Sequence, residues 1–448
     1  MKVTKIHIKD FHQFKDLEID LTYPKGHVKE GQPLEKVCFI GQCGTGKTKI
    51  IEAIGGLTHN AEYFKEKYNF LSENGYVSIK NFDLKYNQSL SGDKDSIYRV
   101  EADLYNDQNI AFEKFNELDK GYILKVKPNL IHYPAELKYE MSEESMEVNF
   151  KEREVIDFSI ENASAIWNLI LSDIQKYQEE ELKIRQEISR VVEDKGNNLT
   201  AIKKSLRTLE DWQKNNFNPI LDIAEKCLDP ILDKFHLRVK TKLDIQKKDD
   251  IGFIKIEDQN GNEIPYGLWS TGTKQVVLSA LPLYLLKPKN TIILFDEPER
   301  SLYPDLQREI IDYYMSLTDD CQLFFATHSP IIASCFEPWE IVELKFDAKG
   351  YVYQEKYYDG ERHVDNYTIT PNYLTYDLIL SKVFDLKETY PAIRDEKITE
   401  VMMLRKQLAN LKKENKLSTK SGKELYDRYM KLAKQLSWEF EIPSHEEA

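Results

Sequence analysis

The octapeptide Gly41-Gln-Cys-Gly-Thr-Gly-Lys47-Thr48 follows directly on the apolar run Lys36–Ile40 (KVCFI) and opens the helix-forming stretch Lys47–Leu57. It matches G-x-x-x-x-G-K-[ST] in full, in the strand–loop–helix setting the motif requires. An uninterrupted apolar run reads as a strand covered on both faces, so the chain must build a sheet with helices packed around it. Glycines let the backbone close around a phosphate, and the turn's N–H groups with the helix N-terminus favour an anion. Gly41, Gln42, Cys43, Gly44, Thr45, Gly46, Lys47, Thr48 and Lys49 are therefore the candidate nucleotide loop. Lys47 is placed to reach the β- and γ-phosphates, and the Thr48 hydroxyl to ligate Mg²⁺.

The 448 residues suggest two to three domains, at about 150 residues each. With 41% apolar and 31% charged residues, the composition is that of a folded rather than a disordered chain. Lys and Arg total 62 against 76 Asp and Glu, a net charge of −14, so any nucleic-acid contact needs a local basic patch. Cys38, Cys43, Cys227, Cys321 and Cys335 include no C-x-x-C pair, which argues for a reducing compartment and against a disulfide framework or zinc site. Val276–Leu286 is too short to span a bilayer, and the opening MKVTKIHIKD lacks the apolar core of a signal peptide. The expectation is a cytoplasmic protein with no membrane contact.

Near-alternating apolar residues predict two strands over residues 1–22 and an antiparallel meander between Tyr76 and Lys127. An acidic connector spans Glu136–Glu161. Ile166, Ile170, Ile174, Tyr177, Ile184, Ile188 and Val191 then mark one stripe of a long helix, and Leu199, Ile202, Leu206 and Leu209 a return stripe. Either an antiparallel hairpin with legs of about 45 Å, at ~30 helical residues each, or two ordinary core helices fits this spacing. Asn218-Pro219 restarts a helix to about Phe235, and two more helices are expected near Ile398–Leu411 and Leu425–Leu436.

A second apolar run, Thr291–Phe295, ends in Asp296-Glu297. A strand end of this kind lets Asp296 hold Mg²⁺ through water and Glu297 orient or polarise an attacking water. Ser270-Thr-Gly272-Thr-Lys-Gln275 lies 26 residues before Asp296. Glu299-Arg-Ser301-Leu-Tyr-Pro304 follows the carboxylates, and a further apolar strand delivers His328 in Thr-His-Ser-Pro, 32 residues after Asp296.

With IHIKDFHQFKDLEIDL at the start, these motifs resemble the ABC-type ATPases of the SMC/RecF/OLD-like branch, over about residues 1–60 and 230–345. The resemblance implies an α/β fold: an ABC-type P-loop ATPase head of mixed sheet plus antiparallel β meander, with an inserted short α-helical hairpin and a helical C-terminal extension. The corresponding segments are 1–137 for the N-terminal lobe, 138–235 for the insertion, 236–345 for the C-terminal lobe and 346–448 for a partner-binding extension. It implies ATP and Mg²⁺ as ligands and ATP hydrolysis as the activity. Ser270, Gly272 and Gln275 would belong to a signature that contacts the γ-phosphate of an ATP held by another subunit. Ser301 would lie on the loop crossing that interface, and His328 would act as the γ-phosphate switch beside catalytic Glu297 and Lys47. A homodimer or higher even-numbered homo-oligomer follows. The sequence departs from the branch in Cys43 where Asn is usual, in Leu268-Trp269 and in Tyr303. Gln108 is the weak candidate for the glutamine loop.

Residues 345–448 carry no D-x-D and no H-N-H arrangement. Leu374–Ser381 and the following helices resemble the tail of small ATPases of phage-defence operons, the Septu type among them, which work with a separately encoded nuclease. The implied role is an ATPase that restrains or positions such an effector in anti-phage defence. Two alternatives stay open: an ATPase-fused RNase toxin using His363, and a RecF-like DNA repair ATPase. Arg405, Lys406, Lys412, Lys413, Lys416, Lys420, Lys423, Arg428, Lys431 and Lys434 crowd the last helices, either as a surface for phosphate (a DNA contact) or an acidic partner, or as a solvated basic face.

Overall fold

The structure, a computed structural model, describes residues 2–59, 76–81, 87–91, 99–101, 128–137, 155–158, 163–195, 198–241, 254–387 and 391–437. They fall into two compact units, Met1–Leu374 and Thr375–Ala448.

In the first unit, β1 (Val3–Phe11) and β2 (Phe14–Asp20) form an antiparallel pair closed at Phe11↔Phe14, their alternate residues buried as the spacing predicts. β3 (Lys36–Gly41) enters the phosphate loop. β4 (Tyr76–Asn81), β5 (Asn87–Ser91) and β6 (Arg99–Glu101) extend β1 as an antiparallel meander. β7 (Leu130–Tyr133) and β8 (Val155–Asp157) pair in parallel. β9 (Leu237–Val239), β10 (Ile256–Asp258) and β11 (Glu263–Ile264) make a small antiparallel sheet of their own. β12 (Ile292–Asp296), β13 (Gln322–Ala326), β14 (Ile341–Phe346) and β15 (Val352–Glu355) complete the set. The large sheet is mixed, in the order β6-β5-β4-β1-β2-β15-β14-β3-β13-β12-β7-β8. Its half from β14 to β8 is parallel throughout, so β3, β12 and β13 release their chains at one edge, where open α/β sheets bind ligands.

Side-chain parity then decides what meets what. Ile292 and Leu294 of β12 and Phe324 and Ala326 of β13 join a core with Ile50, Ile51 and Ile54 of α1 (Lys47–His59). Phe295 faces the other way, stacked on Tyr133 at 4.8 Å and Phe325 at 5.1 Å. Because Asp296 shares its parity with Leu294, it emerges on the α1 face.

The long helix is α2 (Ala163–Lys195), and it satisfies both readings of its stripe. Trp167, Leu171 and Ile174 are fully buried, so its first turns are core. Its remainder pairs with α3 (Leu199–Asn215) as a hairpin, through Tyr177 against Trp212 and Gln213 Nε2 donating to Glu181. The legs are unequal, 33 and 17 residues, or about 50 and 26 Å. The expected 45 Å return leg is cut short because Asn216 caps α3 and Asn218-Pro219 starts a new helix. That helical run reaches Phe235 through a π turn at Ala224–Leu228. α4 (Thr271–Leu286) is buried nearly all round, which explains its lack of a polar face, and α5 (Pro304–Ser316) follows β12.

Sheet and segment boundaries do not coincide. β8 falls within 138–235 and β15 within 346–448, yet both pair into the large sheet. Each offers too few residues for its periodicity to stand out.

The second unit contains α6 (Ala392–Lys413) and α7 (Lys420–Gln435), the latter capped by the Thr419 hydroxyl. Val401, Leu404, Tyr429, Leu432 and Leu436 form its core.

Candidate nucleotide site

The loop's conformation is fixed by its glycines. Gly41, Gly44 and Gly46 have φ of 146°, 85° and 87°. A Cβ at Gly41 would lie 2.3 Å from the Leu344 carbonyl oxygen, and one at Gly46 would lie 2.5 Å from Phe14 Cζ. Thr45 closes the turn by donating to the Gln42 carbonyl at 2.8 Å. Lys47 folds back over the loop, its Nζ donating to the carbonyls of Gly41 (2.9 Å) and Gln42 (3.2 Å). Burial holds the Lys47 ammonium below the usual lysine range, opposed by the Cys43 thiol and by Asp296, Glu297 and Glu299. An anion in the loop would meet a cation that water shields poorly. Lys49 turns instead to Glu52, at 2.8 Å.

Thr48, on the first turn of α1, donates to both oxygens of Asp296 at 3.2 and 3.1 Å. Burial raises the Asp296 carboxyl; the Thr48 hydroxyl opposes this and Glu297 adds to it. A hydroxyl and a carboxylate converging beside a phosphate loop are hard oxygen donors, and they fit Mg²⁺ held jointly with phosphate oxygens. Glu297 adopts φ 48° and donates its N–H to the Ala326 carbonyl at 2.8 Å, so the turn after β12 is clamped to β13. His328 follows β13 as an exposed residue; partial burial of its ring and the Lys47 charge lower its imidazole from the ordinary range, and Glu297 opposes this.

The structure thus brings Lys47, Thr48, Asp296, Glu297 and His328 to one edge. Ser270, Gly272 and Ser301 form a second group. Ser270 caps α4, its Oγ accepting from the Thr273 N–H at 3.0 Å. Gly272 packs so closely on the Ser301 turn that a Cβ would lie 2.6 Å from the Ser301 carbonyl oxygen. Ser301 is left-handed, with φ 63°. Ser270 and Ser301 are exposed, with Leu268 (76%) and Tyr303 (73%) beside them in sequence. Gln275 is buried within α4 and turned away from solvent. Gln108 lies outside the described residues.

Residues 36–334 match the family described as "AAA domain, putative AbiEii toxin, Type IV TA system". The chain belongs to this AAA family. The match begins at β3 and ends after the histidine segment, and the family's P-loop ATPase fold implies nucleotide binding. No curated protein matches the sequence. Among solved structures the chain is distantly similar to an SMC head bound to the C-winged helix domain of ScpA (11% identity, 79% of this chain and 97% of that one, TM-score 0.39). It is likewise similar to the SMC head domain from Thermotoga maritima (12%, 80% and 99%, 0.36). A third is an Smc head domain with an extended coiled coil bound to the C-terminal domain of ScpA derived from Pyrococcus furiosus (11%, 79% and 96%, 0.37).

Sequence reading assigned no role to three groups that this AAA-family site contains. Gln13, on the β1–β2 turn, donates to the Gly44 carbonyl at 3.0 Å. His132 on β7, paired with Leu294, hydrogen-bonds Asp157 at 2.9 Å. Glu299 accepts from the Thr327 hydroxyl and the His328 N–H. All three act across long sequence separations; Glu299 lies in the motif after Asp296-Glu297, but its partners Thr327 and His328 are not readable from it.

Proposed function

We propose that this protein binds and hydrolyses ATP and self-associates through it, as a homodimer or higher even-numbered assembly. The observation that carries this reading is the division of the motif residues into two groups. One gathers Lys47, Thr48, Asp296 and Glu297 at the sheet edge. The other packs Gly272 onto Ser301 and leaves Ser270 and Ser301 facing outward. ATP seated on the first group of one copy offers its γ-phosphate to the second group of the next, and hydrolysis removes that bridge. Thr48 and Asp296 would hold Mg²⁺, which neutralises phosphate charge when bound. Glu297 accepts the proton of the attacking water, and His328 can hydrogen-bond the γ-phosphate.

Cys43 gives a direct test of where nucleotide sits. It is exposed on the loop, whereas Cys38, Cys227 and Cys321 are buried and Cys335 is half-buried. ATP at ten times its Kd should slow maleimide labelling of Cys43 by about tenfold, by mass action. Labelling that ATP leaves unchanged places nucleotide elsewhere.

The finer role we propose is to regulate or scaffold a separately encoded effector, a nuclease, in anti-phage defence. Support comes from the compact second unit after Leu374. The RNase alternative is disfavoured by His363, whose Nδ1 accepts from the Asp365 N–H and whose ring abuts Gly26. For a direct DNA contact the densest basic stretch is α6–α7, with Lys412, Lys413 and Lys416 exposed. Charge reversal at these three should abolish retardation of duplex DNA in a gel; undiminished retardation discards the contact.

A further inference from the structure

The turn that carries Ser301 and the segment that carries His328 are joined by a continuous line of hydrogen bonds. Gln307, on α5, donates from Nε2 to the Leu302 carbonyl at 2.8 Å and accepts at Oε1 from the Ser329 hydroxyl at 2.6 Å. The Ser329 N–H donates to Thr327 Oγ1 at 2.9 Å, and the Thr327 hydroxyl donates to Glu299 Oε1 at 2.6 Å. The same Oε1 accepts the His328 N–H at 3.1 Å, and the Glu299 carbonyl accepts from the Leu302 N–H at 2.9 Å. The line therefore closes on itself, with Leu302 at both ends. Thr327 is fully buried and Ser329 nearly so, which keeps water from substituting for these bonds. Glu299 Oε2 is buried without a hydrogen-bond partner among the described residues, so only one oxygen of this side chain is satisfied.

We infer that Glu299 and Gln307 are positioning residues that make His328 in one copy respond to what its own Ser301 turn contacts. This rests on the ATP-sandwich reading above. In that arrangement the Ser301 turn faces the nucleotide of the neighbouring copy, while His328 faces the copy's own. A ring of hydrogen bonds through both segments lets a shift of one displace the other. Each active site thereby senses whether the opposite site is filled, and hydrolysis becomes cooperative in ATP. Neither residue touches nucleotide. Glu299 acts through the main chain of His328, and Gln307 through Ser329 and Leu302.

The test is steady-state ATP hydrolysis over a range of ATP concentrations, alongside sizing with ATP. Gln307→Met removes both side-chain bonds in a similar volume. It should lower kcat about tenfold and bring the Hill coefficient to 1, with KM within about twofold and ATP-induced assembly unchanged. Gln307→Glu keeps the acceptor for Ser329 but loses the donor to Leu302, so it should show the same loss of cooperativity. Glu299→Ala should lower kcat, whereas Glu299→Gln, which keeps an oxygen for Thr327 and His328, should restore most of it. Wild-type kcat and Hill coefficient in Gln307→Met overturn the inference while leaving the sandwich intact. A wild-type protein that does not hydrolyse ATP defeats the parent reading and this one together.

Discussion

Replacing Glu297 by Gln should leave ATP binding intact and slow hydrolysis by about 10²-fold or more, the share a well-placed general base contributes. The amide preserves the size and polarity of a side chain whose backbone is already committed. Glu297 holds φ 48°, and its N–H is spent on the Ala326 carbonyl. What the amide cannot do is accept a proton from water. Phosphate release at saturating ATP, with ATP affinity measured separately, reads the two effects. Full activity in the variant would move the base to another residue of the edge.

Gly46→Ala should damage the loop severely. At φ 87° any L side chain is strained, and the added Cβ would come 2.5 Å from Phe14 Cζ and 2.3 Å from Gln13 Nε2. Gln13 is flexible at that end. Phe14 is fully buried and cannot yield, so the loop itself must move. Strain and overpacking together should cost about 1–3 kcal/mol of stability. Because displacement of about 1 Å at a site of this kind can cost about 10²-fold, ATP affinity should fall by a comparable factor. Gly44→Ala is the internal control. Its φ is nearly the same, 85°, but its nearest neighbour would be Phe346 Cζ at 3.8 Å. It should keep most of the affinity that Gly46→Ala loses. Thermal unfolding and equilibrium ATP binding of both variants decide this, and equal behaviour would rule out the Phe14 contact as the cause.

The parts of the site that sequence reading finds are those whose chemistry is written locally. The loop needs its glycines within eight residues, and Asp296 and His328 each end an apolar run. Residues such as Glu299 and Gln13 escape because their partners lie 29 and 31 positions away, and a lone Gln in a turn carries no pattern. The hairpin shows a different gap. Leu199 and Leu206 keep helical spacing but are 70% and 46% exposed, so periodicity identified the helix without telling what it packs against. Short strands such as β8 and β15 join the sheet and bury Ile156 and Val352, but a side-chain pattern of three or four residues is too short to announce them.

Self-association by ATP bridging is tested most directly by the mass of Glu297→Gln in solution, with and without ATP and Mg²⁺. The mass should at least double with nucleotide, and a Ser270→Arg change in the same background should return it to that of the single chain. One mass under all three conditions would contradict the account.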